Sequence, residues 1–211
     1  MTLEDRPEHY AVASSLRRFA GGVIAVRTDE VVMPSGASVA RDVVEHPGAV
    51  GVIAVDEADQ VLLIQQYRHP PGRLLWEPPA GLLDEPGEPP HETAARELYE
   101  EAGHHAATWH VLLDLFTSPG MSDEAVRLYL ARDLTAVPEH ERHRGEHEEA
   151  DMPVVRLPLD EAVELVRAGA LHNPLTIMGV LAADRARADG WTGLRSADAP
   201  WPERPVSGVK G

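Results

Sequence analysis

Cysteine is absent from the 211 residues of this chain. Its absence excludes disulfides, zinc sites built on thiolates and cysteine nucleophiles, and it is typical of a cytoplasmic protein. Long apolar runs are also missing, because no stretch approaches the ~18 uninterrupted apolar residues that suggest a membrane helix. Residues 1–7 contain no apolar segment of the kind found in a secretory signal. We therefore expect a cytoplasmic protein that does not enter a membrane.

Positive charge is scarce as well. The chain has 19 Lys and Arg against 35 Asp and Glu, which gives a formal net charge of −16. A field of that sign repels phosphate backbones and disfavours a nucleic-acid partner, although the charge is equally compatible with a role in solubility alone. A small phosphate-containing substrate is compatible with this charge, because bound divalent cations would reverse the local sign of an acidic cleft.

The hydrophobic content of 43% predicts a packed core, and alternating strand and helix signals indicate a layered α/β or α+β fold. The N-terminal part reads as short strands separated by glycine turns, and a hairpin is predicted around residues 56–59. We expect a strand-rich segment at 1–45, a main domain at 46–190 and an irregular tail at 191–211. Strands are predicted at 12–19, 22–27, 39–44, 49–55, 61–66, 76–83, 109–116, 125–131 and 154–157, and helices at 90–102, 160–168 and 175–188.

Three glutamates share one face of the first predicted helix. Glu97 lies three residues before Glu100 and four before Glu101, so all three carboxylates are neighbours on an α-helix. Like charges at this spacing destabilise a helix unless a cation binds there. Ligands that are all oxygen favour a hard ion such as Mg²⁺ or Mn²⁺. The alternative is a solvated acidic helix face.

The same stretch resembles the signature of the Nudix hydrolases. Glu88, a gap of seven residues and then Arg96-Glu97-Leu98-x-Glu100-Glu101-x-Gly103 match the family pattern. There are two departures: six residues instead of five separate Gly81 from Glu88, and His104 occupies a position that is aliphatic in the family. The resemblance implies an α/β fold, namely an α/β/α sandwich with a mixed central sheet plus an N-terminal antiparallel strand extension.

The resemblance also implies roles for the residues of the motif. Two or more Mg²⁺ or Mn²⁺ ions would be held by the Ala80 carbonyl and by Glu97, Glu100 and Glu101. Arg96 would hold carboxylates in position through its fork of donors, so that Arg96 and Glu97 belong to the catalytic set. Gly81 would let the backbone turn tightly beside the metals and contact substrate.

Residues outside the motif resemble the ADP-ribose pyrophosphatase branch of the family, particularly its actinobacterial members. The matching stretches are Gln66-Tyr67-Arg68, Glu77-Pro-Pro-Ala-Gly81, and Ser118–Glu124 with Pro119 sixteen residues past Gly103. Simpler alternatives are a surface arginine at 68, aromatic packing for Tyr67 and Trp76, and a plain turn at 119–120. The substrate-binding residues predicted from this resemblance are Arg68, Tyr67, Glu77, Gly81, Met121, Ser122 and Glu124.

Residues 139–151 form a charged loop. The resemblance implies that it carries a glutamate that binds metal or activates water, with Glu149 as the best match and Glu148 or Asp151 as alternatives. A metal site built from His140, His143 and His147 has no known ligand spacing, and a solvated charge run is the default interpretation.

Together these features predict an enzyme that hydrolyses the pyrophosphate of ADP-ribose to AMP and ribose 5-phosphate. One alternative is a hydrolase of another nucleoside diphosphate sugar or of a dinucleotide, because the motif sets the chemistry and not the substrate. A remoter alternative is a non-catalytic ligand-binding or regulatory Nudix domain. The resemblance further implies a homodimer in which the N-terminal strands cross to the partner.

Overall fold

The structure is a computed structural model that describes residues 3–143 and 152–204. The chain separates into two compact units. The first comprises residues 1–47, 118–124 and 205–211, and the second comprises 48–117 and 125–204. The predicted boundaries near residues 45 and 190 stay a prediction.

An antiparallel sheet of three strands forms the first unit: β1 (Val12–Ala20), β2 (Ala25–Val32) and β3 (Ser38–Glu45), in the order β1-β2-β3. The predicted strand at 22–27 begins too early, because the Gly21 amide donates to the Ile24 carbonyl at 2.8 Å and closes a turn there. Every residue of β1 is exposed.

The second unit contains a mixed sheet of five strands in the order β11-β8-β9-β4-β7 and a smaller antiparallel sheet in the order β10-β5-β6. Strands β4 and β9 are parallel, and the other neighbours in both sheets are antiparallel. The bounds are β4 Ala49–Ala54, β5 Gln60–Arg68, β6 Arg73–Glu77, β7 Ala80–Leu82, β8 His104–Phe116, β9 Ala125–Ala136, β10 Val154–Pro158 and β11 Arg195–Ser196.

Three helices complete this unit: α1 (Pro90–Ala102), α2 (Leu159–Arg167) and α3 (Pro174–Ala188). Helix α1 begins with proline in its first turn and ends at Gly103, whose φ of 62° is left-handed. The side chain of Asn173 caps α3 by accepting from the amides of Leu175 and Thr176 at 2.8 and 3.1 Å. None of these helices is long and apolar enough to cross a membrane within the described ranges.

The predicted hairpin at 49–66 is wrong. Strands β4 and β5 belong to different sheets, and only a single bridge from Val55 to Val61 joins their ends. A tight turn at Asp56 links them, in which the Asp56 carboxylate accepts from the amides of Ala58 and Gln60 at 2.9 Å. Both strands are buried on both faces along their centres, so each finds partners elsewhere instead of pairing with the other.

Alternate residues of β4 face opposite helix layers. Val50 and Val52 belong to a core cluster that includes Ala94 and Leu98 of α1. Ile53 belongs to a second cluster, on which residues of α2 and α3 pack. A sheet with helices on both faces is the α/β/α sandwich that the sequence predicts, so the fold prediction is confirmed.

Candidate active site

A cavity of about 950 Å³ opens between α1, β7 and the connection from β7 to α1. Five predicted site residues with charged side chains line it: Arg68, Arg96, Glu97, Glu100 and Glu101. The backbone at Ala80 and Gly81 and the side chain of Glu88 line it as well. The fold therefore brings together the main part of the set that the motif predicts, all on the second unit.

Arg96 lies at the centre of the carboxylates. Its Nη1 donates to Glu97 Oε1 at 2.7 Å and to Glu100 Oε2 at 3.1 Å. Its Nε and Nη2 donate to the two oxygens of Glu88, both at 3.2 Å. The hydrogen bonds that Arg96 donates to Glu88 contribute most to raising the pKa of Arg96, so the guanidinium stays charged throughout the physiological range. This arrangement suits a residue that holds carboxylates in place.

The carboxylate of Glu88 has defined hydrogen-bond partners, although the connection before it is one residue longer than in the family pattern. Besides the bonds from Arg96, its Oε2 accepts from the hydroxyl of Thr93 at 2.8 Å. The hydrogen bonds from Arg96, then Thr93, lower the pKa of Glu88 although burial opposes the shift. The link from Glu88 to Arg96 escaped the sequence prediction, because the longer connection leaves the position of Glu88 open.

Gly81 is required for a steric reason. A Cβ atom on Gly81 would lie 2.0 Å from Oε1 of Glu97 and 2.6 Å from its Cγ. Gly81 is not among the glycines with positive φ, so the expected tight turn is not the reason for glycine here. Next to it, the amide of Ala80 donates to Glu101 Oε2 at 2.8 Å. Strand β7 thus lies directly against the carboxylate face of α1.

The donor set fits a hard divalent cation in its chemistry, since Glu88, Glu97, Glu100 and Glu101 supply carboxylate oxygens that outnumber the two positive charges of Arg68 and Arg96. Within residues 3–143 and 152–204, however, no three acidic or histidine side chains stand in positions that would hold an ion as they are. Oxygens of Glu97 and Glu100 point to Arg96, and one of Glu101 points to the Ala80 amide. The metal-ligand roles stay a prediction.

Arg68 and Glu77 form a close pair at the edge of the cavity. Arg68 Nε lies 3.0 and 3.1 Å from the two oxygens of Glu77, and its Nη2 lies 2.7 Å from Oε2. Glu77 is only 1% exposed, whereas Arg68 lines the cavity. The carboxylate of Glu77 contacts Arg68 and does not line the cavity, and the substrate-binding roles of both residues stay a prediction.

The aromatic residues differ in position. Tyr67 is 44% exposed, and its hydroxyl lies 3.2 Å from Nδ1 of His69. Trp76 packs against the core cluster shared with α2 and α3, as the packing alternative predicts. A role for Tyr67 in substrate binding stays a prediction.

Met121, Ser122 and Glu124 belong to the first unit. Met121 is exposed, and Ser122 Oγ donates to the Val44 carbonyl and accepts from the Glu124 amide, both at 3.1 Å. A turn closes at this segment, because the amides of Met121 and Ser122 both donate to the Ser118 carbonyl at 3.0 Å. Their substrate-binding roles stay a prediction.

The predicted loop acids, Glu149 with Glu148 and Asp151, lie outside the described residues, as does His147. His140 and His143 are described and exposed. His140 Nε2 lies 3.2 Å from a carboxylate oxygen of Glu141, which fits a solvated charge run better than a metal site.

Residues 45–175 match the family model for the NUDIX domain. The chain is 49% identical over 201 residues to the ADP-ribose pyrophosphatase of Mycobacterium tuberculosis, covering 95% of each protein. It is 36% identical over 162 residues to the ADP-ribose pyrophosphatase of Bacillus subtilis, covering 77% of this chain and 85% of that protein.

A solved structure described as an ADP compounds hydrolase has the same fold, with a TM-score of 0.69 and 20% identity over 89% of this chain and 99% of that one. Enzymes of this kind generally use divalent metal ions. The family model covers most of the chain and includes the whole carboxylate cavity. The chain therefore belongs to the NUDIX family and is a hydrolase.

Proposed function

We propose that this enzyme hydrolyses the pyrophosphate of ADP-ribose to AMP and ribose 5-phosphate. The observation that carries the proposal is the cavity in which Glu97, Glu100 and Glu101 face the backbone of Ala80 and Gly81. The two relatives named ADP-ribose pyrophosphatase support the choice of substrate. The cavity of about 950 Å³ is of the size that small-molecule sites commonly have.

Mg²⁺ or Mn²⁺ would be held by Glu97, Glu100, Glu101 and the Ala80 carbonyl, with Glu149 as a further ligand or base. Bound ions of this type neutralise phosphate charge and lower the pKa of water. Arg96 holds Glu97 and Glu100 through its Nη1, which limits the positions that these two carboxylates can take.

Arg68 is the residue proposed to bind the pyrophosphate. Its fork suits bidentate binding to phosphate oxygens, and the buried carboxylate of Glu77 restrains its orientation. In the overall reaction a water oxygen bonds to one phosphorus and the bridging P–O bond breaks. Glu149 is proposed to take the proton of the attacking water, and the leaving phosphate keeps the bridging oxygen.

We also propose that the enzyme is a cytoplasmic homodimer. Support comes from β1, which pairs with β2 but with no other strand among the described residues. Leu16 and Phe19 on this strand are each 54% exposed, which is costly for large apolar side chains that have no partner. In such a dimer Met121, Ser122 and Glu124 would contribute to substrate binding, with Tyr67 and Gly81 from the cavity side.

The competing substrates are other nucleoside diphosphate sugars and dinucleotides, because the carboxylate cavity recognises a pyrophosphate and not a particular sugar. Product release is measured for ADP-ribose, other ADP-sugars, GDP-mannose and NADH with Mg²⁺. We expect kcat/KM for ADP-ribose to exceed that for each other compound by about tenfold or more. A higher kcat/KM for another compound contradicts the substrate assignment, and no turnover of any of them favours a non-catalytic NUDIX domain.

A further inference from the structure

The carboxylate of Glu88 stands directly before α1, where the start of the helix offers few donors to hold it. Positions 89 and 90 are both proline, and proline has no backbone N–H to donate. The N-cap residue, Pro89, makes no capping hydrogen bond through its side chain. Residues 84–87, on the other side of Glu88, are exposed. The donors that fix this carboxylate therefore come from further along the helix.

Thr93, the fourth residue of α1, supplies one of these donors. Its hydroxyl donates to Glu88 Oε2 at 2.8 Å. A threonine in a helix often donates instead to the carbonyl four residues before it, but that carbonyl, of Pro89, lies at 3.4 Å. The carboxylate is thus the closer acceptor. Side chains of a helix tilt toward its N-terminus, which is why Thr93 reaches a residue that precedes the helix.

Glu88 in turn sets the direction of the guanidinium of Arg96. Nε and Nη2 of Arg96 each donate to an oxygen of Glu88 at 3.2 Å. The remaining nitrogen, Nη1, donates to Glu97 and Glu100. Because a guanidinium is planar and rigid, holding its Nε and Nη2 edge also fixes where Nη1 points. The hydroxyl of Thr93 is therefore linked to two carboxylates of the proposed metal site.

Thr93 is separated from the cavity by its burial. It is 0% exposed and does not line the cavity, whereas Glu88 and Arg96 do. A hydrogen bond to a charged group is stronger where water is excluded. Loss of the hydroxyl would leave Oε2 of Glu88 to the longer bond from Arg96 at 3.2 Å. The carboxylate would then be held less firmly, and so would the guanidinium.

We propose that Thr93 is a positioning residue of the active site. Its hydroxyl anchors Glu88, and Glu88 holds the guanidinium of Arg96 in one orientation. The inference rests on the proposed function, in which the carboxylates that Arg96 contacts, Glu97 and Glu100, hold Mg²⁺. Thr93 itself acts only through Glu88.

Four variants separate the hydroxyl of Thr93 from its packing. Thr93→Val keeps the shape and removes the hydroxyl, Thr93→Ser keeps the hydroxyl, and Thr93→Ala removes the hydroxyl with a better helix former. Thr176→Val is the matched control. Thr176 is also 0% exposed in the first turn of a helix and donates at 2.8 Å, but to the Trp76 carbonyl and outside the cavity.

The first measurement uses the metal-free protein without substrate. NMR follows the exchange with water of the Arg96 Nε–H, the proton that Glu88 accepts. We expect Thr93→Val to speed this exchange by about fivefold or more, because the acceptor is less firmly held. Thr93→Ser and Thr176→Val should change it by less than about twofold. Unchanged exchange in Thr93→Val overturns the inference.

The second measurement is steady-state hydrolysis of ADP-ribose over a range of Mg²⁺ concentrations. Thr93→Val and Thr93→Ala should raise the Mg²⁺ concentration for half-maximal rate by about tenfold and lower kcat, with KM for ADP-ribose changed less than about twofold. Thr93→Ser should stay within about twofold of the wild type. Thr176→Val should do so as well, although it loses stability. A change in Thr93→Val no larger than that in Thr93→Ser or Thr176→Val overturns the inference.

A double-mutant cycle with Glu88→Ala tests whether Thr93 acts through Glu88. In that background Thr93→Val should change the Mg²⁺ requirement, and the equilibrium constant of unfolding of the metal-free protein, by less than about twofold. Equal effects in both backgrounds overturn the inference. Failure of the proposed function is distinct, since the unmodified enzyme then does not hydrolyse ADP-ribose while the Arg96 Nε–H still responds to Thr93→Val.

Discussion

The missing side chain of Gly81 allows β7 to lie against Glu97. We expect Gly81→Ala to displace the Glu97 carboxylate, because the added Cβ would lie 2.0 Å from Oε1 and 2.3 Å from Cδ. The predicted result is a fall in kcat/KM for ADP-ribose of about 100-fold with the fold retained, measured by steady-state kinetics and circular dichroism. Gly22→Ala is the matched control, because a Cβ there has nothing within 4 Å. Equal activity of the two variants would contradict the steric account.

His104 makes stability depend on pH. Burial lowers the pKa of His104, the charges of Arg156, Arg142 and His105 lower it further, and the hydrogen bond to Ala102 opposes the shift. As pH falls, the unfolded chain therefore takes up the proton before the folded protein does. The stabilisation by neutral His104 is complete above about pH 6.5 and is lost as pH falls through the lower pKa of the folded state.

Chemical unfolding between about pH 8 and about pH 5 checks this sign. In His104→Leu the free energy of unfolding should fall less steeply toward acid than in the wild type, whereas the exposed-site control His172→Gln should keep the wild-type slope. If the free energy of unfolding of His104→Leu fell toward acid as steeply as that of the wild type, groups other than His104 would cause the pH dependence of stability.

Helix α3 packs so closely on strand β4 that position 179 has no room for a side chain. A Cβ on Gly179 would lie 2.3 Å from Cδ1 and 2.6 Å from Cγ1 of Ile53. Alanine is better than glycine inside a helix by about 1 kcal/mol, but overpacking costs about 1–3 kcal/mol. We therefore expect Gly179→Ala to lower the free energy of unfolding in the wild type.

The same substitution should be neutral or stabilising in an Ile53→Ala background, where the clashing atoms are absent. Denaturant unfolding of the four proteins in this cycle measures the coupling. Equal effects of Gly179→Ala in both backgrounds would show that the close approach of α3 to β4 is not limiting.

Local signals predict α1 from the sequence, and longer-range pairing explains the errors elsewhere. The bounds of α1 match the prediction, since its proline start and Gly103 stop act within one turn. Strand β8 starts at His104, five residues before its predicted start, because residues 104–108 have weak strand propensity but pair with the end of β9. The short strand β11 gains its structure by pairing with β8, which no local pattern shows.

In the candidate site, too, the sequence predicts the arrangement within one helix but not the contacts between elements. Helix spacing alone places Glu97, Glu100 and Glu101 on one face, and the structure lines the cavity with them. The bonds from Arg96 to Glu88 and from Arg68 to Glu77 depend on how β5, β6 and the connection after β7 fold together. Such contacts between different elements cannot be derived from the spacing of residues within one element.

At the scale of the whole molecule, the exposed β1 strand underlies the proposed homodimer. Light scattering after size exclusion should give twice the chain mass of 23.0 kDa for the wild type. Leu16→Arg/Phe19→Arg should shift the mass to that of a single chain, because charges on an unpaired apolar strand oppose association. Leu181→Arg, at an exposed position of α3, is the control that should stay dimeric. A wild type with the mass of one chain contradicts the proposal.

The central claim is that the carboxylate face of α1 carries hydrolysis of ADP-ribose with a divalent ion. The most direct measurement is the kcat/KM for release of AMP and ribose 5-phosphate with Mg²⁺, compared between wild type, Glu97→Gln and the exposed control Glu161→Gln of α2. We predict wild-type activity that is abolished by chelation, a loss of about 100-fold or more in Glu97→Gln, and no loss in Glu161→Gln. Turnover in Glu97→Gln equal to that of the wild type and still dependent on Mg²⁺ would contradict the claim.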